Sequence, residues 1–197
     1  MAQAVWPRRA ESRAAAWGRD AFLAVAFSLL TALSAQVTIH LPLIPLTMQT
    51  FAVLLAGALL GPRLGALAMA LYLAEGLAGL PVFAEGRSAW TPGALPGVPV
   101  ILGLSAGYLF SYPFAAALVG ALATRGWDRR PLTMLAAMLL GSLVVFALGA
   151  GWLAHFVGPS RALAAGVLPF LPGDVVKALL AAGLVPLGWK WLGAKRP

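Results

Sequence analysis

The sequence predicts an all-α integral membrane bundle of six transmembrane helices, both termini in the cytoplasm, forming a single domain over residues 1–197. Three observations predict it: scarce charge, six long apolar runs, and a one-sided distribution of lysine and arginine. Hydrophobic residues fill 61% of the 197 positions and charged residues only 10%, against roughly 45–50% and about 25% in soluble domains. Fourteen basic and six acidic side chains cannot cover a soluble surface of this size. The same numbers exclude a disordered chain, which would be poor in apolar residues and rich in charge. The absence of cysteine removes disulfides, thiolate metal sites and a cysteine nucleophile.

A membrane helix needs about 20 mostly apolar residues, because each residue rises 1.5 Å across about 30 Å of hydrocarbon. Runs that meet this pattern lie near 21–38, 45–61, 64–80, 100–123, 132–156 and 172–192. The second is short, and Gly61-Pro62-Arg63 joins it to the third as a helical hairpin. The first five runs contain one charged residue, Glu75; the sixth opens with Asp174 and Lys177. Residues 1–20 form a basic cytoplasmic segment ahead of the first span.

Positive charge sets orientation. With six spans, one face receives Arg8, Arg9, Arg13, Arg19, Arg63, Arg125, Arg129, Arg130, Lys190, Lys195 and Arg196, eleven of the 14 basic residues. The other face and the last span hold Arg87, Arg161 and Lys177. The formal charge of +8 is therefore a topological signal with some attraction to anionic lipid. Nucleic-acid binding is excluded, since no basic patch interleaves with exposed aromatics. Arg8-Arg9 and the apolar run ending in Ala32-Leu33-Ser34-Ala35 imitate a twin-arginine or secretory signal. No soluble domain follows, so this run reads as an uncleaved first span.

No catalytic or metal motif is present. His40 and His155 lie in different segments and read as interfacial polar groups. No Gly-Lys-Ser/Thr loop is available to cradle phosphate, so ATP use requires another protein. Asp174 and Lys177, three residues apart at a helix start, share one face. They form either a neutralising ion pair or a ligand site with an acceptor and a donor one turn apart; charge inside a membrane favours the latter. Thr47, Gln49 and Thr50 open the second span, either as caps or with the Gln49 amide pointing into a cavity. The long loop from Leu80 to about Pro99 carries Phe83, Glu85, Arg87 and Trp90, and reads as a lid or as an interfacial segment. Arg87 suits a carboxylate, and Tyr108 brings a hydroxyl early in the fourth span. Glu75 is protonated or paired with Lys177 or Arg87. Ala24, Ser28 and Ala32 form a small-residue stripe on the first span, fit for internal packing or for docking a partner helix.

Four segments together carry a resemblance. They are Leu43-Ile44-Pro45-Leu46-Thr47-Met48-Gln49-Thr50, Gly79-Leu80-Pro81-Val82-Phe83-Ala84, Gly107-Tyr108-Leu109, and Pro169-Phe170-Leu171-Pro172-Gly173-Asp174-Val175-Val176-Lys177. In order and spacing, from about 21 to 190, the chain resembles the biotin-specific substrate-binding (S) subunits of energy-coupling-factor transporters, the BioY family. The resemblance implies a six-helix S-component fold in a bacterial-type cell membrane that captures biotin from outside. It implies partners, namely a transmembrane coupling subunit and two ATP-binding-cassette ATPases, with the S subunit toppling in the bilayer. The chain itself would be no enzyme and would need no cofactor or metal. The first-helix stripe of the family touches the coupling subunit, which matches Ala24, Ser28 and Ala32. Where family members tend to carry a glycine-rich lid and Gly-Pro-Thr-Gly-Gly-Tyr, this chain has Glu85-Gly86-Arg87-Ser88 and Gly103-Leu104-Ser105-Ala106-Gly107-Tyr108.

Biotin suits these residues chemically. Its ureido ring fits Asp174 as acceptor, with Gln49 or Tyr108 as further partners. Its carboxylate fits Lys177 or Arg87, and Phe83 and Trp90 offer apolar cover. Two other classes compete. A stand-alone secondary carrier for a small carboxylate-bearing vitamin would show interrupted helices at matching positions in two halves, and Pro172-Gly173 has no counterpart in the first half. An intramembrane enzyme would need Glu75, His155 or Asp174 to converge at one depth.

Overall fold

The computed structural model describes residues 12–191. Arg8, Arg9, Lys195 and Arg196 lie outside the described residues. Among the described residues seven α-helices account for most of the chain: α1 (Arg13–Gln36), α2 (Gln49–Leu60), α3 (Pro62–Leu77), α4 (Ala106–Thr124), α5 (Pro131–Val157), α6 (Pro159–Gly166) and α7 (Leu171–Trp191). Two short strands, β1 (Thr38–Ile39) and β2 (Leu46–Thr47), pair antiparallel with Thr38 opposite Thr47. The all-α expectation therefore holds. Helix ends follow local chemistry: the Ser12 hydroxyl accepts from the Ala15 N–H at 3.2 Å at the start of α1. Proline occupies the first turn of α3, α5 and α6, where its missing N–H costs nothing.

The burial pattern is that of a protein solvated by lipid. Large apolar side chains point outward, among them Phe22, Leu29 and Leu33 of α1, Leu143 of α5, and Val176, Leu180 and Leu184 of α7. Small and polar residues point inward, including Ser28, Thr31, Ala68, Ser111, Ala137 and Ala181. Lipid tails are as apolar as leucine, so burying leucine between helices gains little and close backbone packing decides the association. Four stretches are long and apolar enough to cross a membrane: Arg13–Gln36, Ala106–Thr124, Pro131–Val157 and Pro159–Trp191. The 12 residues of α2 rise only about 18 Å and the 16 of α3 about 24 Å.

Glycine sets the closest approaches. Gly61, with φ of +87°, reverses the chain between α2 and α3. A Cβ on Gly65 would come within 2.9 Å of Gly57 Cα, and one on Gly57 would collide with the Ala116 carbonyl of α4. The three backbones α2, α3 and α4 therefore meet without intervening side chains. At the far end from the cavity described below, the α4–α5 connection and the end of α7 are joined. The Trp189 indole donates to Asp128 Oδ2 at 2.6 Å, and the Arg129 guanidinium lies 3.6 Å above the Trp189 ring.

Three expectations need correction or extension. The stripe of Ala24, Ser28 and Ala32 does not form a free docking face. Ala24 and Ser28 are 3% and 0% exposed and turn toward α3, while Ala32 is half-buried against the core. The Ser28 hydroxyl lies 2.8 Å from Glu75 Oε1 and Thr31 packs on Met69, so the small residues serve α1–α3 packing. Glu75 accordingly faces Ser28 rather than Lys177 or Arg87. Finally, residues 159–166 form the short helix α6, which the apolar runs do not reveal.

Candidate functional site

The cavity opens at the end of the bundle where α1 finishes and α7 begins. Its floor and walls come from the starts of α2, α4 and α7 and the middle of α5; its cover comes from the β1–β2 hairpin and the loop after α3. Gln49, Phe83, Glu85, Arg87, Tyr108, Asp174 and Lys177 all line it. With them stand Thr47, Thr50, Tyr112, Val145, Phe146 and Phe170. Six of the seven residues singled out as ligand contacts thus come together from segments up to 128 positions apart.

Trp90 is the seventh, and it lies elsewhere. Its side chain is 60% exposed, and its indole N–H donates to the Leu77 carbonyl at 2.8 Å. The turn that closes when Ser88 N–H donates to Thr91 Oγ1 at 2.9 Å sends Trp90 outward, while Ala89 and Phe83 point inward at 0% and 2% exposure.

Asp174 and Lys177 occupy successive turns of α7, as their spacing requires, and both are buried. The Lys177 ammonium donates to the Thr47 carbonyl at 2.6 Å and to Thr50 Oγ1 at 2.9 Å, locking α7 to the start of α2. One ammonium proton remains. The buried Asp174 carboxylate, with Ser142 of α5 as a hydrogen-bond neighbour, lines the cavity as an acceptor.

Gln49 is held by a chain of bonds. Thr47 Oγ1 donates to Gln49 Oε1 at 2.8 Å; Gln49 Nε2 donates to the Tyr72 hydroxyl, which donates to the Val82 carbonyl at 3.0 Å. This fixes which end of the amide is which and leaves one N–H and one lone pair of Gln49 for another partner. Tyr72, fully buried, went unnoticed in the sequence because a tyrosine on an apolar helix signals nothing by itself. Tyr108 donates its hydroxyl to the Gly166 carbonyl at 2.8 Å and stacks on Phe170 at 6.4 Å between centroids. It contributes a ring wall and a lone pair.

The cover is framed by backbone bonds. Gln36, at the end of α1, donates from Nε2 to the Phe83 carbonyl at 3.1 Å and accepts from Gly86 N–H at 2.9 Å. Within that frame Glu85 takes φ +62°, ψ +27°, the left-handed conformation that non-glycine residues seldom adopt. Its carboxylate bridges Arg87 and His40, with His40 Nε2 at 2.8 Å. His40 is thus a hydrogen-bonding partner of Glu85 at the cavity rim.

An apolar chamber with an amide, two carboxylates and two cations can hold a small amphipathic molecule that has a hydrogen-bonding head and an acidic tail. The chain matches the BioY family over residues 8–194. It belongs to that family. Among its relatives, the probable biotin transporter BioY of Pyrococcus horikoshii is 40% identical over 163 residues, covering 83% of this chain and 91% of the relative. The biotin transporter BioY of Thermotoga maritima is 34% identical over 175 residues, covering 86% and 95%. The crystal structure of the S-component for biotin from an ECF-type ABC transporter superposes with a TM-score of 0.75 at 25% identity, covering 92% of this chain and 95% of that one. The described fold is accordingly that of a helical membrane protein related to transporters.

Proposed function

We propose that the chain captures biotin outside the cell and serves as the substrate-specific subunit of an energy-coupling-factor importer. One observation supports this above the rest: Asp174, Lys177 and Gln49 meet in one covered cavity in a member of a family whose relatives are named biotin transporters. Asp174 and the free valences of Gln49 would hold the ureido ring. Phe83, Tyr108 and Phe170 would wall the fused rings and alkyl chain, and Arg87 or Lys177 would receive the carboxylate. ATP hydrolysis would take place in two ATP-binding-cassette subunits, acting through a transmembrane coupling subunit.

Six spans, α1 to α5 and α7, with both termini cytoplasmic fit this role. The Gly61 turn packs by Thr124, and the Asp128–Trp189 bond joins the α4–α5 connection to the end of α7. Arg63, Arg125, Arg129, Arg130 and Lys190 thereby collect opposite the cavity, as the positive-inside rule requires of a cytoplasmic face. The short α2 and α3 would cross with the help of the hairpin and loop that cap them. The coupling subunit would meet this protein on a surface other than Ala24 and Ser28, which are buried.

The test is mass spectrometry of the small molecule retained by the protein purified in detergent. Biotin at near-stoichiometric amount supports the reading. A different retained molecule, or an empty protein that takes up no added biotin, would overturn it.

A further inference from the structure

The rim of the cavity carries a carboxylate that the capture of biotin does not use. Glu85 lines the cavity together with Arg87, and one of its oxygens pairs with the Arg87 guanidinium while the other lies 2.8 Å from His40 Nε2. The lining holds two basic side chains, Arg87 and Lys177, and two acidic ones, Glu85 and Asp174. A ligand bearing a carboxylate adds a negative charge that has to find a cation. Lys177 already spends two of its three protons on Thr47 and Thr50, whereas the partner held by Arg87 is an exchangeable side chain at the rim.

The frame of the loop does not depend on that ion pair. Gln36 grips the backbone on both sides of Glu85, at the Phe83 carbonyl and the Gly86 N–H, and Phe83 itself is anchored edge-on against Tyr72 at 5.4 Å between centroids. Arg87 can release Glu85 without the cover falling apart, and Glu85 keeps His40 as a partner when it does. The left-handed backbone at Glu85 is a conformation that surrounding bonds must enforce, and such outliers gather at ligand clamps.

We infer that Glu85 is a built-in counter-ligand: it occupies Arg87 in the empty protein, must give way to the carboxylate of the incoming ligand, and so sets how strongly the site prefers an acidic tail to a neutral one. This rests on the reading of the cavity as a biotin site and adds a specificity determinant to it. A group that merely positions Arg87 would have the opposite signature, because its removal would weaken the binding of the acid.

The experiment compares biotin with biotinamide, which has a neutral tail, by calorimetry on the purified full-length chain and on Glu85→Gln, Glu85→Asn, Arg87→Gln and Glu85→Gln/Arg87→Gln. Asparagine tolerates the left-handed backbone, so the shorter variant guards against a loop that misfolds, and a melting curve is taken for each protein. Removing a competing charge at a partly exposed pair is expected to tighten biotin by about 2–5-fold. Biotinamide should be unchanged, and Glu85→Gln should have no effect on the Arg87→Gln background. Weaker biotin binding by folded Glu85 variants, an equal change for both ligands, or no change would overturn the inference while leaving the biotin reading intact. Failure of the unaltered protein to bind biotin would overturn both.

Discussion

The packing of Gly149 against Tyr108 offers a direct way to perturb the cavity from behind. A Cβ on Gly149 would overlap the Tyr108 ring at Cδ1, Cε1 and Cγ, so in Gly149→Ala either the ring turns into the cavity or α5 moves off α4. Inserting a methyl group into a filled contact costs about 1–3 kcal/mol. Losing the bond from the Tyr108 hydroxyl to Gly166 adds about 0.5–1.5 kcal/mol. Divided between folding and binding, this predicts a lower melting midpoint and biotin affinity reduced at least about tenfold, since 1.4 kcal/mol is one decade. Gly151→Ala is the control, two residues along the same helix with nothing within 4 Å of its Cβ. There alanine should be neutral or slightly stabilising, by up to about 1 kcal/mol. Melting curves and calorimetry in the same detergent read both quantities. Unaltered affinity and midpoint in Gly149→Ala, or equal damage from Gly151→Ala, would refute the role given to this contact.

Other predictions follow from the same geometry. Lys177→Met removes two charge-assisted bonds from α7 to Thr47 and Thr50, worth about 1.5–3 kcal/mol each. Biotin affinity should fall at least about 100-fold and the melting midpoint should drop; a folded variant with affinity within threefold of the unaltered protein would contradict this. Gln36→Ala frees the loop over the cavity, so amide exchange at Gly86 should accelerate and biotin should dissociate faster, with little change in global stability. Hydrogen exchange with mass spectrometry checks the first effect and stopped-flow chase the second; unchanged exchange at Gly86 would count against the frame described for the cover.

The helical membrane bundle was legible because its signals are coarse: scarce charge, long apolar runs, basic residues on one side. The residues of the cavity were largely legible too, because a charge in an apolar span stands out, as Asp174 and Lys177 did. What escaped depends on direction rather than composition. Ala24 and Ser28 sit on an alanine-rich helix where small residues occur on several sides, and nothing in the spacing says which side meets α3. Trp90 and Phe83 are both aromatic residues of one loop, and only the turn at Ser88–Thr91 decides which enters the cavity. Glu75 had two conceivable partners, Lys177 and Arg87, and Ser28, a residue 47 positions away, became visible only once α1 and α3 were laid together. Helix α6 is short, amphipathic and broken from α5 by Gly158 alone, so no apolar run marks it.

The central claim is that Asp174 and its neighbours in this cavity hold biotin. Calorimetric titration of biotin into the purified protein and into Asp174→Asn tests it most directly. The unaltered protein should bind one biotin tightly, and Asp174→Asn, folded by its melting curve, should lose that binding because the ureido N–H groups lose their charged acceptor. Equal affinity in the two proteins would contradict the claim.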